Sequence, residues 1–216
     1  MKEKLKVAVL IENHPHDVVS FRKMLDSFED CDCYVQPIDL FVQDDDNRDN
    51  YDVVLWYNMN WDEPKEGTVL RKYMEEKIGT TKQGLVLIHH AMLTFQGWDL
   101  YTDVCGVSDR GGDHFRYHQN EKVVQHILPV ESPITAGVED FTVYDETYSI
   151  GEPDQEGNTI LITTDNESGV HNIAWTRQYK NSRVFAYLSG HDNATYGDPN
   201  FRKIVHQGLI WAADKE

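Results

Sequence analysis

Four short apolar runs constrain this chain more than any other feature: Lys6-Val-Ala-Val-Leu-Ile11, Tyr51-Asp-Val-Val-Leu-Trp-Tyr57, Gly84-Leu-Val-Leu-Ile-His89 and Arg183-Val-Phe-Ala-Tyr-Leu-Ser189. Runs of this length, rich in β-branched and aromatic residues, suit strands buried on both faces, as in a parallel sheet covered by helices. Amphipathic stretches lie between them. Val18, Phe21, Leu25 and Phe28 fall at helical spacing behind Asp17, a ready cap. Val69, Leu70, Tyr73, Met74 and Ile78 make a second stripe, with Pro64 suited to a first helical position and Gly79 following. Asp198-Pro199 opens a last helix whose Ile204, Val205, Leu209 and Trp211 are expected to face inward. The alternation predicts an α/β fold: a doubly wound, mostly parallel sheet with helices on both faces.

Between the third run and the last the pattern is less regular. Val123 to Val130, Thr159 to Thr163 and Asn172 to Thr176 read as strands joined by Pro- and Gly-bearing turns, without a strong helix between them. An irregular antiparallel extension, roughly residues 106–170, is therefore expected inside a single domain spanning residues 1–216.

Charge excludes some partners. With 20 Lys plus Arg against 37 Asp plus Glu, the net charge is −17, and no cluster of cations is present to release counterions from a phosphate backbone. Nucleic acid and anionic membrane surfaces are thus disfavoured. The longest apolar candidate for a membrane span, Gly84 to Leu93, is too short and carries two histidines. The basic start of the chain precedes only a brief apolar stretch before Glu12, which reads as a first strand rather than a signal peptide and leads us to expect a cytoplasmic protein. Cys31, Cys33 and Cys105 are expected to be reduced thiols.

Ligands on open α/β sheets bind beyond the carboxyl ends of the strands, and histidines gather there in this sequence. His14 and His16 follow the first run, His89 and His90 end the third, and His191 follows the last within Ser189-Gly-His-Asp192. A further group, His114 and His118, lies in Gly111-Gly-Asp-His-Phe-Arg-Tyr-His118. In Val143-Tyr-Asp-Glu-Thr-Tyr148, an extended backbone would send Asp145 and Glu146 to opposite faces and put Glu146 beside Tyr148.

Several of these stretches also occur in the order seen in a known family. Gly84-Leu-Val-Leu-Ile-His-His-Ala91, Asp113-His-Phe-Arg-Tyr-His118, Ser132-Pro-Ile-Thr-Ala-Gly137, Asp145-Glu-Thr-Tyr148, Ala174-Trp175, Arg183 to Asp192 and Gly208-Leu-Ile-Trp-Ala212 together resemble the ThuA-like, or trehalose-utilisation, family over nearly the whole chain. The resemblance implies a flavodoxin-like fold of the class I glutamine amidotransferase type and a role in sugar metabolism, with relatives linked to keto-sugar or glycoside processing. It also places His89 where amidotransferases carry their nucleophilic cysteine, and makes His191 similar to the triad histidine. Imidazole cannot replace the thiolate of a thioester mechanism, so glutaminase activity is not expected.

At the start of a helix, the dipole would keep His89 neutral and available as a base or a metal ligand. His89, His118 and His191, with His114 and Glu146 as further donors, could hold zinc, manganese or another divalent ion; a metal-free pocket would leave the same sequence. Trp98, Arg116, Tyr148 and Asp192 are the expected substrate contacts, with Asn58, Trp61, Tyr117 and Trp175 in or near the same loops. Two functions follow. One is an enzyme acting on an unphosphorylated sugar or keto-sugar, by enolisation or by metal-assisted hydrolysis, with His89 and His191 moving protons and Glu146 orienting them. The other is a non-catalytic carbohydrate-binding or regulatory module on an amidotransferase-like fold. In either case the ligand is a small sugar, and a homo-oligomer is expected.

Overall fold

The structure is a computed structural model and describes residues 3–214. Its first half alternates strands and helices as β1 (Leu5–Glu12), α1 (Val18–Asp26), β2 (Cys31–Pro37), α2 (Ile38–Gln43), β3 (Val53–Asn58), α3 (Val69–Glu76), β4 (Gly84–Ile88) and α4 (Asp99–Cys105). Strands β5 (Tyr117–Ile127), β6 (Phe141–Tyr148), β7 (Asn158–Thr163), β8 (Asn172–Tyr179) and β9 (Ser182–Tyr187) follow, and the chain closes with α5 (Asn193–Gly197) and α6 (Pro199–Ala212).

The nine strands form one sheet in the order β2-β1-β3-β4-β9-β8-β7-β5-β6. Its first five strands are parallel, and with β9 taking the fifth place they follow the flavodoxin order. From β9 outward every pairing is antiparallel. The expectation of a mostly parallel sheet is therefore corrected: half of it is. Connection length is the reason. Only Lys180 and Asn181 separate β8 from β9, which permits a hairpin and forbids the long crossover that parallel neighbours require.

Burial follows this layout. All residues of β3 and β4 are buried, as central strands should be, whereas the edge strand β2 exposes Tyr34 and Val35. Helix α6 packs across β3, β4 and β9, and α2 packs on α3 and β1. At Gly84 the approach to α6 is so close that a Cβ would collide with the backbone of Ala212.

Two of the expected caps are present. Asp17 accepts from the Ser20 amide at 3.0 Å, and Asp198 accepts from the Asn200 and Phe201 amides at 2.8 and 2.9 Å. Pro64 does not start a helix. Helix α3 begins at Val69, five residues beyond the expected start, where the Thr68 hydroxyl accepts from the Arg71 amide at 3.3 Å, while the Pro64 carbonyl holds the Arg71 guanidinium at 3.0 Å. Val18 and Val69, at the first positions of their helices, point outward, and Trp211 is half-buried against the Arg183 guanidinium. Among the described residues, no helix is long and apolar enough to cross a membrane.

Candidate functional site

The chain turns sharply where β4 ends. His89 adopts φ +53°, a left-handed conformation that a non-glycine residue holds only when its surroundings enforce it. A short 3-10 turn, His89–Leu93, follows in place of the expected helix. A turn of that length has little macrodipole, so the nearby Glu146 carboxylate, not a helix end, dominates the field at the ring. His89 is fully buried, and its Nδ1 lies 2.8 Å from the Leu188 carbonyl oxygen. A carbonyl only accepts, so Nδ1 carries the proton and Nε2 faces the site. Three groups converge on that nitrogen: the Tyr148 hydroxyl at 2.6 Å, His191 Nδ1 at 3.2 Å and Glu146 Oε1 at 3.6 Å.

His191 arrives from the loop after β9, which is held from several sides. Asp145, itself buried, accepts from the backbone N–H groups of Gly190, His191 and Glu146, each at 2.9 Å. The Tyr57 hydroxyl donates to the Gly190 carbonyl at 2.7 Å, and the Tyr196 hydroxyl lies 3.0 Å from the His191 carbonyl oxygen. Gly190 has φ +124°, a conformation that favours glycine, and a Cβ there would press on the Ile88 and Phe201 side chains. Strand alternation divides the two acids as expected: Asp145 secures this loop, and Glu146 enters the site with its Oε1 3.7 Å from His191 Nδ1.

These surroundings set the charge states. Burial pushes the Glu146 carboxyl up, but its contacts with the His89 and His191 imidazoles and the Tyr148 hydroxyl outweigh this and hold it at about 2. Burial, and then the neighbouring Glu146 carboxylate, push the Tyr148 hydroxyl far above its ordinary range, so it stays a donor. Burial, and then His89 and His14, keep His90 neutral by lowering its pKa well below the usual imidazole range. His90 donates through Nε2 to the Tyr57 carbonyl at 3.1 Å, and His14 stacks on it at 4.1 Å between ring centroids.

A cavity of about 210 Å³ opens directly onto this cluster. Glu146, Tyr148, Gln119 and His14 supply its polar wall, and Trp61, Phe115 and Tyr117 supply an aromatic one. Gln119 donates to Glu146 Oε2 at 3.2 Å. The Trp61 and Phe115 rings meet edge to face at 5.6 Å, and Phe115 lies 5.6 Å from the Tyr148 ring.

The structure brings His89, His191, Glu146 and Tyr148 together and leaves other expected residues apart. His118 pairs with Thr147 across β5 and β6, so alternation turns it to the face opposite Tyr117 and Tyr148, where it is exposed. It is no ligand partner of His89. His114 is exposed too, 3.3 Å from Asp109. Trp98 packs on Phe95 beneath the Arg71 guanidinium, outside the cavity wall. Arg116 is exposed and donates to the Phe115 carbonyl at 2.6 Å. Asp192 caps α5 by accepting from the Ala194 amide at 2.8 Å, and Trp175 is a core residue whose indole donates to the Cys105 carbonyl at 2.9 Å. The buried Cys105 thiol lies against the Thr102 and Val107 carbonyls and is no stand-in for an elbow cysteine.

Gln119, Phe115, Met59 and Leu93 line the cavity without having been expected there. Alternation back from His118 was the available signal for Gln119, because residues 117 and 119 share a face. Two groups of side chains among the described residues have donor atoms close enough for a metal ion: His89, Glu146 and His191 in this site, and Asp30, Cys31 and His206 near the amino ends of the strands.

A family model described as ThuA, trehalose utilisation, matches residues 9–212. Among solved structures, a putative ThuA-like protein from Parabacteroides merdae superposes with a TM-score of 0.75 at 17% identity, covering 98% of this chain and 91% of that one. A glutamine amidotransferase from Thermotoga maritima gives 0.59 at 8% identity, covering 99% of this chain and 100% of that one. A β-galactosidase from a Rahnella species gives 0.57 at 14% identity, with 94% of this chain matching 31% of that one. At these identities the structural matches establish the fold. No curated protein matches the chain significantly.

Proposed function

The chain belongs to the ThuA, trehalose-utilisation, family, and on that premise we propose that it is an enzyme of sugar metabolism acting on an unphosphorylated sugar or keto-sugar. One observation carries this reading: a cluster of His89, His191, Glu146 and Tyr148 meets a cavity with an aromatic wall through Glu146 and Tyr148. Aromatic faces suit the apolar faces of a sugar ring, and Gln119 and Glu146 suit its hydroxyls. A carboxylate held ionised in the wall repels a phosphate group, as does a chain of net charge −17.

Glu146 and Tyr148 face the cavity, and the two imidazoles support them from behind. Tyr148 stays protonated, and its hydroxyl can leave His89 Nε2, 2.6 Å away, to donate its one proton to a ketone oxygen as negative charge develops there. Glu146 stays ionised and can accept from a hydroxyl or orient His191. This pairing of a donor with a basic cluster fits proton transfer beside a carbonyl, and it fits cleavage of a glycosidic bond activated by that carbonyl.

Incubation with 3-keto-glucosides and with unmodified glucosides in D2O, followed by proton NMR, tests the proposal. We expect exchange beside the ketone or bond cleavage in the keto series, with loss of both in Tyr148→Phe. Binding without turnover across all these sugars would overturn the enzymatic reading in favour of a binding module.

A further inference from the structure

We propose that His89 Nε2, His191 Nδ1 and Glu146 Oε1 form a three-ligand site for zinc, with its fourth position open to the cavity. The three atoms stand 3.2, 3.6 and 3.7 Å apart. A point equidistant from them lies about 2.0 Å from each, which is the bond length zinc takes to imidazole nitrogen and carboxylate oxygen. Two histidines and a glutamate with an open position make up a donor set that zinc uses for catalysis, in contrast to the closed four-ligand sets of structural sites.

The surroundings of the ligands support the same assignment. The proton on His89 Nδ1 is fixed by the Leu188 carbonyl at 2.8 Å, which aims the Nε2 lone pair into the cluster. Gln119 holds Oε2 of Glu146 at 3.2 Å and leaves Oε1 for the cation. The backbone of His191 is secured by Asp145 at 2.9 Å. The Tyr148 hydroxyl is the other group on His89 Nε2, at 2.6 Å, so a cation taken up there would displace that hydrogen bond. A proton on Nε2 is the competing occupant. The other candidate, Asp30 with Cys31 and His206, is weaker, since Asp30 Oδ1 and His206 Nε2 lie 2.6 Å apart, a direct hydrogen bond too short to enclose an ion.

The test uses the full chain. Protein freed of metal with a chelator is titrated with zinc chloride by calorimetry, with manganese chloride in parallel, and the zinc-loaded form is measured by X-ray absorption. We expect one tightly bound zinc per chain, nitrogen and oxygen neighbours at about 2.0–2.1 Å, and imidazole scattering beyond them. His191→Asn and Glu146→Gln should each weaken zinc by about 100-fold or more. His191 is only half-buried, and circular dichroism of both variants is recorded alongside so that weaker binding is read only from folded protein. Unchanged affinity in these variants, no zinc binding by the wild type, preference for manganese, or loss of zinc with Cys31→Ser and His206→Ala would each overturn the proposal.

The site is the one assigned to sugar chemistry, and the two readings fail separately. Zinc bound at these ligands without turnover of any sugar overturns only the sugar reading. Turnover by a chain that binds no zinc overturns only this one.

Discussion

Asp145→Asn isolates the part of the site that holds the loop of His191. The substitution preserves shape and removes the charge. The carboxylate of Asp145 accepts three backbone N–H groups, two on Oδ1 from His191 and Glu146 and one on Oδ2 from Gly190, all at 2.9 Å. The asparagine oxygen can keep the first two, but its NH₂ then meets the Gly190 N–H donor to donor. One charge-assisted bond contributes about 1.5–3 kcal/mol, and a buried N–H left without a partner costs about 1–3 kcal/mol. These overlap, because both describe the same Gly190 amide, so a loss of about 2–4 kcal/mol is expected. For a chain of this size that corresponds to a fall in Tm of about 5–15 °C. Urea titration by circular dichroism gives the free energy, and calorimetry gives Tm. The variant should also bind zinc more weakly, since His191 is one of the proposed ligands. A Tm within about 2 °C of wild type would refute the reasoning, because it would mean that the three amides find other acceptors at no cost.

Three further outcomes follow from particular contacts. The buried His90 takes up a proton in the unfolded chain below about pH 6.5 and stays neutral in the folded one, so stability present above that pH should be lost as pH falls, by up to about 1.4 kcal/mol per unit; urea midpoints at pH 7.5, 6.0 and 5.0 check this, and a flat profile contradicts it. Gly84→Ala forces a methyl into the backbone of Ala212 and should cost about 1–3 kcal/mol, read as a lowered urea midpoint. Trp61→Ala removes an exposed aromatic wall and should weaken sugar binding about tenfold, or about 1.4 kcal/mol, with little change in Tm; calorimetric titration showing equal affinity would remove Trp61 from the site.

What could be read in advance divides along physical lines. The central strands announced themselves because burial on both faces demands continuous apolar runs, as in Val53–Asn58 and Gly84–Ile88. Strand β2 did not, since an edge strand with the sequence Cys-Asp-Cys-Tyr-Val-Gln-Pro has one exposed flank and no such requirement. Asp17 and Asp198 were legible as caps, but the same chemistry concealed the role of Asp192, whose carboxylate serves Ala194 rather than a ligand. His89, His191 and Glu146 were legible because strand ends on this kind of sheet converge. His118 was expected at the site and Gln119 was missed because choosing between neighbours requires the face of the strand, and that is set by pairing with β6 and by an irregularity between His118 and Glu121. Trp98 and Arg116 failed for a related reason: proximity in sequence to a cavity residue does not fix which way a loop side chain turns.

The division of the sheet at β9 bears on how the chain assembles its candidate site. Glu146 lies on the far edge strand in sheet order, yet it meets His89, which is 57 positions earlier by residue number, and His191, which pairs with a residue 102 positions before it. Contacts so distant in sequence close late, after long loops have paid their entropy. During synthesis the parallel strands β1 to β4 can begin to pack while the chemistry is still absent. The cluster is complete only once β9 has returned beside β4, so the zinc binding proposed above would report that assembly is finished.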